Sequence, residues 1–215
     1  MNIQEMKEFV SQRIDSVENK EVNENLVNTN GILIHFIPEN LLDNNPIDWS
    51  DKDHKFKIQH SFRRLSGLDT QYSDLGDRIL SYTPNNEYYI CFQNGITETF
   101  RHPIENQNSL DGRFNYIKVE NLFYAIRDFV DASKAVHNKL YNTIPPYQIF
   151  ISLLDVQGTY FASFDKNYVT TIPFPGKNAR LEPFQLNSLT DNIMPEIING
   201  IHYGIRATSQ WRPNQ

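Results

Sequence analysis

The residues that could do chemistry in this sequence fall into three small groups, and the first is the acidic segment DWSDKDH. It places Asp48, Asp51, Asp53 and His54 close together. Carboxylate oxygens are the ligands that a hard cation such as Ca²⁺ prefers, so the segment could in principle hold one. The calcium-loop pattern fails, however, because no glycine follows Asp53 to turn the chain. A solvated acidic loop is the better interpretation.

The second group follows an Asn-Gly pair and contains Glu98, Arg101 and His102. Successive side chains of a strand alternate between its faces, so Glu98 and His102 would share one face and Arg101 would point to the other. An acid and an imidazole on one face could serve a small hydrolase, as could the acidic segment if it held a metal. The sequence alone assembles no acid, base and nucleophile around either group.

The third group is basic. Arg63 and Arg64 follow His60 in a predicted loop, and Arg78 begins a predicted strand. Arginine suits bidentate contact with phosphate or carboxylate, and nearby Tyr72 and Tyr82 could stack on bases. These residues are candidates for binding an anion or a nucleic acid, although an exposed arginine pair that serves solubility is the simpler interpretation of Arg63 and Arg64.

None of the strong enzyme signatures occurs. The segment Gly176-Lys177-Asn178 lacks the upstream glycine and the Ser or Thr of a phosphate-binding loop, and there is no Gly-x-Ser-x-Gly and no His-Glu-x-x-His. The single cysteine, Cys91, excludes an internal disulfide and a multi-thiolate zinc site, and its apolar neighbours predict a buried thiol. We therefore predict no catalytic residue, no cofactor and no metal.

Composition limits the class of protein further. The chain has 215 residues, 13% aromatic residues and a formal net charge of −6, with a pI near 5.5. The aromatic content predicts a real core, and the acidic balance weighs against an autonomous nucleic-acid binder, which needs a surplus of Lys and Arg on one face. No stretch has the length or composition of a signal peptide or membrane span, so we predict a cytoplasmic protein without membrane contact.

The elements that must position these groups begin with a helix. Ile3, Met6, Val10 and Ile14 recur at spacings of three and four, which predicts one apolar stripe on an amphipathic helix. A polar, Asn-rich linker follows, so we divide the chain into a helix and linker over residues 1–30 and a single α+β domain over 31–215. The stripe is a candidate surface for a protein partner or a second copy of the chain.

Strand patterns dominate the middle of the chain. ILIHFIP predicts a buried strand, and RILSY, EYYICFQ and ITETF predict a meander in which Asn94-Gly95 forms a type I′ turn. The run YQIFISLLDVQGTYFASF predicts a second hairpin, which turns at Gln157-Gly158. Between ILIHFIP and RILSY the sequence reads as irregular.

Two further helices complete the predicted fold. Apolar residues recur at helical spacing from Leu122 to Leu140 and again from Leu189 to Ile205. The predicted fold class is α+β, with an antiparallel sheet of meander and hairpin strands packed with two long helices and the N-terminal amphipathic helix.

Taken together, several segments carry a resemblance to a known family. ILIHFIP, RRLSG, GDRILSY with YYICFQNGITETF, QIFISLLDVQGTYFAS, and a last helix followed by Trp211 resemble the C-terminal region of bacterial proteins that carry a Schlafen-like AlbA_2 domain. In those proteins the preceding N-terminal domain is a DNA-binding or ATP-binding module. That module and the acidic constellation of Schlafen-type nucleases have no counterpart here, so neither nuclease activity nor DNA binding carries over to any residue.

The resemblance implies a non-catalytic sensing or protein-interaction domain of an AlbA_2, Schlafen-like bacterial system, in phage defence or transcriptional regulation. Two alternatives stay open. One is a nucleic-acid-binding module around Arg63, Arg64 and Arg78, and the other is a small metal-dependent hydrolase. The expected partner is another protein or a second copy of this chain.

Overall fold

The fold is α+β, as predicted from the sequence. The computed structural model describes residues 1–22, 29–42, 46–48, 50–66, 71–83, 87–102, 104–109, 112–141, 143–163, 168–169 and 173–210. Four helices lie in this part of the chain: α1 (Ile3–Glu18), α2 (Lys52–Ser66), α3 (Val119–Val136) and α4 (Met194–Gln210). A short π-helix, His137–Tyr141, continues α3.

The larger sheet is antiparallel and has eight strands. Its strands are β1 (Gly31–Pro38), β2 (Gln71–Asp74), β3 (Arg78–Tyr82), β4 (Tyr88–Phe92), β5 (Thr97–Arg101), β8 (Tyr147–Leu154), β11 (Ala179–Arg180) and β12 (Phe184–Leu186). They follow the order β11-β8-β1-β5-β4-β3-β2, with β12 also paired to β8. The central strands β1 and β8 are buried along their whole length, because helices cover both faces of the sheet.

A smaller sheet packs beside the larger one. It contains β6 (Ile104–Ser109), β7 (Gly112–Lys118), β9 (Tyr160–Ser163) and β10 (Tyr168–Val169), in the order β10-β9-β7-β6. β7 and β9 run parallel, and the other pairs are antiparallel. β10 lies at an edge of this sheet.

Alternation along the strands creates two apolar cores. One face of the larger sheet packs with α1 around Leu33, Tyr88, Ile90 and Phe100. The opposite face packs mainly with α3, through side chains such as Ile34, and also holds Ile58 and Phe62 of α2 and Ile197 and Ile201 of α4. Cys91 is a buried thiol in this second core, as predicted.

Helix α1 buries its stripe inside the chain, which corrects the prediction that Ile3, Met6, Val10 and Ile14 form a surface for a partner. Met6, Val10 and Ile14 are at most 3% exposed and belong to the core under the sheet, whereas Ile3 is 45% exposed. The helix begins at a capping box, in which Asn2 accepts from the backbone of Glu5 and the Glu5 carboxylate accepts from the backbone of Asn2.

The Asn94-Gly95 pair forms a turn, but not of the predicted type I′. Gly95 has a φ of +97°, whereas Asn94 keeps a negative φ. The Gly95 N–H donates to the Phe92 carbonyl, and the Phe92 N–H donates to Ile96. A type I turn followed by a left-handed glycine has this pattern, and it leaves residues 93–95 as a three-residue loop between the hydrogen-bonded Phe92 and Ile96.

The predicted second hairpin is wrong. β8 and β9 follow one another in sequence, but β8 pairs with β1, β11 and β12 in the larger sheet, and β9 pairs with β7 and β10 in the smaller one. The chain turns at Gly158, which has a φ of +79°. A sequence pattern that predicts two strands and a turn does not specify which other strands each of them pairs with.

Helix α2 occupies a region that was predicted to be irregular. Its buried stripe is narrow, because Ile58 and Phe62 are at most 2% exposed while Phe56 is 67% exposed. Asp51 stands just before the helix and accepts through Oδ1 from the backbone N–H of Asp53 at 2.8 Å. An acidic residue at this position is a helix-start signal, which the sequence interpretation assigned to a loop.

The turn at Gly95 gives a prediction about stability. Replacing Gly95 with alanine should lower the free energy of unfolding by about 1–2 kcal/mol, because a residue with a Cβ is strained at positive φ. The added Cβ would also lie 3.5 Å from Pro38 and from Thr143. Urea unfolding of Gly95→Ala measures the loss.

Gly158→Ala is the matched control, because Gly158 has a similar φ but no atom within 4 Å of the added Cβ. The two variants should lose comparable stability if backbone strain dominates. An unchanged Gly95→Ala variant would contradict the conformation assigned to the turn.

Candidate functional site

The most strongly perturbed charges in the described residues surround Glu98. Its carboxylate lies in β5, is fully buried and accepts from Arg13 twice, at 2.7 Å from Nε and 2.8 Å from Nη2. Tyr88 donates its hydroxyl to Oε1 at 2.8 Å, and Nε2 of His35 lies 3.0 Å from Oε2. Because a carboxylate can only accept, the proton on His35 is assigned to Nε2. The carboxylate thus has four hydrogen bonds from three side chains.

The secondary structure explains why these side chains meet. His35 in β1 lies directly opposite Glu98 in β5, and Tyr88 lies on the adjacent strand β4. All three point to the face of the sheet that α1 covers. Arg13 comes from α1, three residues after the buried Val10, and its side chain is 11% exposed.

Burial and charge act against one another in this cluster. Burial is the largest influence on Glu98 and acts to raise the pKa of its carboxyl, but Arg13 and His35 together hold that pKa well below its usual range. Burial, assisted by Glu98, raises the pKa of Tyr88 well above its usual range, so Tyr88 stays a neutral donor. Glu98 is therefore an ionised carboxylate that is already fully hydrogen-bonded.

The predicted pairing of Glu98 with His102 is not what the structure contains. Nδ1 of His102 lies 2.7 Å from the carbonyl oxygen of Asn30, and the imidazole packs edge-on against Phe100. Glu98 instead belongs to the Arg13 cluster. The alternative of a hydrolase built on Glu98 and His102 is therefore not supported by their partners.

The acidic segment caps α2. Asp48 accepts from the backbone N–H of Ser50 at 2.8 Å, and this contact with Ser50 lowers the pKa of the exposed Asp48 carboxyl. Nδ1 of His54 lies 3.1 Å from the Asp48 carbonyl oxygen. His54 Nε2 lies 3.7 Å from Asp51. The described residues contain no group of three His, Cys, Asp or Glu side chains placed to hold a metal.

The basic candidates lie in different elements. Arg63 and Arg64 belong to helix α2 rather than to the predicted loop, and their side chains, like that of Tyr72, lie outside the described residues. Arg78 lies 3.3 Å from Asp77, with its guanidinium 5.9 Å from the ring centre of Phe92. That Arg63, Arg64 and Arg78 together bind an anion or a nucleic acid stays a prediction.

A polar cleft of about 300 Å³ lies beside α3, where β4 begins and β5 ends. Arg101 Nε lies 3.4 Å from Glu87 Oε2, and the backbone N–H of His102 donates to Glu87 Oε1 at 3.2 Å. Asn121, Tyr124 and Asp128 contribute the α3 side of the cleft. The cleft therefore presents both a partly buried cation and several hydrogen-bonding groups.

A group of side chains in mutual contact lies at the rim of this cleft. The Arg127 guanidinium lies 5.0 Å from the ring centre of Tyr124 and donates to Asp128 through Nε and Nη2, at 3.1 and 2.9 Å. Tyr124 is 54% exposed. A second cleft of about 340 Å³, between α2 and α3, is lined by Asp128 and Asp131 with His60 and Lys139. Asp128 thus connects two clefts along the outer face of α3.

Sequence reasoning missed this site, although a local signal existed. Tyr124, Arg127, Asp128 and Asp131 follow the spacing of one helical face, opposite the apolar stripe that identified α3. Glu87 lies just before β4, and Arg101 is the last residue of β5. A tight turn joins these two antiparallel strands, so the start of β4 and the end of β5 lie side by side. The approach of α3 to those strand ends was not readable from the sequence.

Comparison with protein-family models, curated proteins and solved structures gave no match. The resemblance to proteins with a Schlafen-like AlbA_2 domain therefore depends on the sequence segments alone, and Trp211, one of its features, lies outside the described residues. In the described part of the chain no helix is long and apolar enough to cross a membrane.

The buried cluster predicts a strong coupling between α1 and the sheet. Arg13→Met should lower the free energy of unfolding by about 3 kcal/mol, because it leaves the buried Glu98 carboxylate without its compensating charge. Glu98→Gln in the same chain should restore part of that loss, with a coupling energy of about 1–3 kcal/mol. Urea unfolding of the two single variants and the double variant measures both quantities.

Arg127→Met is the matched control, since Arg127 is half exposed and its pair with Asp128 is open to water. Its unfolding free energy should change by no more than about 0.5 kcal/mol. Equal losses in Arg13→Met and Arg127→Met would show that the buried pair has no special role.

The depressed pKa of Glu98 also predicts a pH dependence. Its stabilising effect is complete above the unfolded-state pKa, near 4.5, and is lost as the pH falls through the lower folded-state pKa. Between roughly pH 5 and pH 3, wild-type protein should therefore lose more stability than the Arg13→Met/Glu98→Gln variant. Unfolding at several pH values tests this, and parallel losses in the two proteins would refute the assignment.

Proposed function

We propose that the protein is a non-catalytic interaction domain of an AlbA_2, Schlafen-like bacterial system, and that it binds its partner through the cleft beside α3. The observation that carries the binding surface is the mutual contact of Tyr124, Arg127 and Asp128 at the rim of the cleft. The connection with phage defence or transcriptional regulation is proposed from the sequence resemblance.

The chemistry of this rim suits protein recognition. Tyrosine and arginine are enriched among the residues that contribute most to binding between proteins. Stacking on Tyr124 and bonding to Asp128 already restrict the Arg127 side chain, so less rotamer freedom is lost when a partner binds. The same contacts contribute little to the stability of the fold, because the side chains are exposed.

The cleft behind the rim favours a polar partner that carries both signs of charge. Arg101 offers a partly buried cation, whereas Glu87, Asp128 and Asp131 supply carboxylates along the two clefts. Those carboxylates would repel a phosphate backbone, which favours protein over nucleic acid as the partner at this surface. The saturated hydrogen bonding of Glu98 likewise favours a structural over a catalytic use of that carboxylate.

The proposal predicts that the rim determines partner affinity. Tyr124→Ala and Arg127→Ala should each weaken binding at least about tenfold while the protein stays folded. The partner is first identified by cross-linking the tagged protein in its host, and the affinity of the purified pair is then measured by calorimetry. Recovery of a protein with an AlbA_2 module would also support the proposed system.

Tyr203→Ala is the matched control, because Tyr203 is an exposed tyrosine on α4 that is not among the described lining residues of either cleft. It should bind as the wild-type protein does. Undiminished binding by both rim variants, or a loss confined to Tyr203→Ala, would contradict the proposed surface.

A further inference from the structure

An apolar cavity of about 280 Å³ lies between the larger sheet and helices α3 and α4. Its walls include Leu122 of α3, Ile151 and Leu153 of β8, Phe161 of β9, Phe174, and Ile201 of α4. Four of these side chains, Leu122, Ile151, Phe161 and Ile201, are no more than 3% exposed, so the walls belong to the core. The cavity shares none of its described lining residues with the clefts beside α3.

Small residues on α4 explain how the space arises. A Cβ on Gly200 would lie 2.8 Å from Phe184, so α4 rests closely on that ring. One turn later, Gly204 lines the cavity, and a Cβ there would lie 3.4 Å from Leu181. The absence of a side chain at Gly204 therefore leaves room that a larger residue would fill.

Among the described lining residues, charge lies only at the margin of this cavity. Arg180 is the one charged residue among the described lining residues, and it is exposed, with Nη1 donating to Ser11 of α1 at 2.9 Å. An ionised ligand in the cavity would therefore lose its hydrating water, and no charged core side chain among the described lining residues would compensate for that loss. That loss is costly for a carboxylate, whereas an uncharged apolar ligand gains from burial.

We propose that this cavity binds a small, uncharged, apolar molecule. An apolar cavity of about 150 Å³ in another protein stays dry and binds benzene. A volume of about 280 Å³ would therefore accommodate roughly two fused aromatic rings, or an alkyl chain of about eight to ten carbons. Such a ligand would contact the sheet, α3 and α4 at once.

The two probes are naphthalene and 2-naphthoate, which is naphthalene with one carboxylate group. Naphthalene should cause saturable chemical-shift changes in the methyl groups of Ile151, Leu153 and Ile201 when titrated into isotopically labelled wild-type protein. 2-Naphthoate should bind at least about tenfold more weakly, because its carboxylate must be desolvated.

Gly204→Leu should abolish these changes by filling the cavity, and it should fold, because leucine has a higher helix propensity than glycine. Tyr203→Leu introduces the same residue at the neighbouring exposed position and should bind naphthalene as the wild-type protein does. If Gly204→Leu does not fold, Ala179→Leu fills the cavity from β11 instead.

Three outcomes would overturn the proposal. Wild-type protein without saturable shifts up to the solubility limit of naphthalene would show that the cavity takes no such ligand. Equal binding by a folded filled variant would place the ligand elsewhere. Tighter binding of 2-naphthoate than of naphthalene would refute the uncharged class and point to Arg180.

Discussion

The ion pair between Arg13 and the buried Glu98 constrains the whole α1 side of the molecule. A carboxylate in the middle of an apolar core is strongly destabilising unless a charge and hydrogen bonds compensate it. Arg13 of α1 brings that charge, and it can do so only when Met6, Val10 and Ile14 also reach the sheet. Apolar burial and ion pairing therefore specify the same docked position of the helix.

Helix α3 has a comparable role on the opposite face of the sheet. Its apolar side chains, including Leu122, Ile126 and Phe129, fill the second core, and Ser133 Oγ lies 2.9 Å from Thr97 Oγ1 of β5. The other side of the helix carries Tyr124 and Asp128 at the polar clefts. A well-packed helix thus holds the proposed binding surface, and the cavity wall at Leu122 belongs to the same element.

Local sequence patterns predicted those helices and strands that are defined by residues close together in the chain. The stripe of α1, strand β1, and the meander from β3 to β5 were all readable, since periodicity and turn chemistry are local properties. Helix α2 was missed because its buried stripe is reduced to Ile58 and Phe62 among many polar residues. β9 was assigned to the wrong neighbour because its true partners, β7 and β10, are not specified by the turn at Gly158.

The sequence by itself determined the α+β class, the amphipathic helices, the central strands and the buried position of Cys91. Only the tertiary structure decided that α1 packs inside the chain, that Glu98 is bound by Arg13, and that Glu87, Arg101, Tyr124 and Asp128 meet in one cleft. The physical reason is the range of the interactions. Side-chain periodicity is set within a few residues, whereas the buried ion pair and the cleft require segments far apart in the chain to pack together, and that packing depends on the whole core.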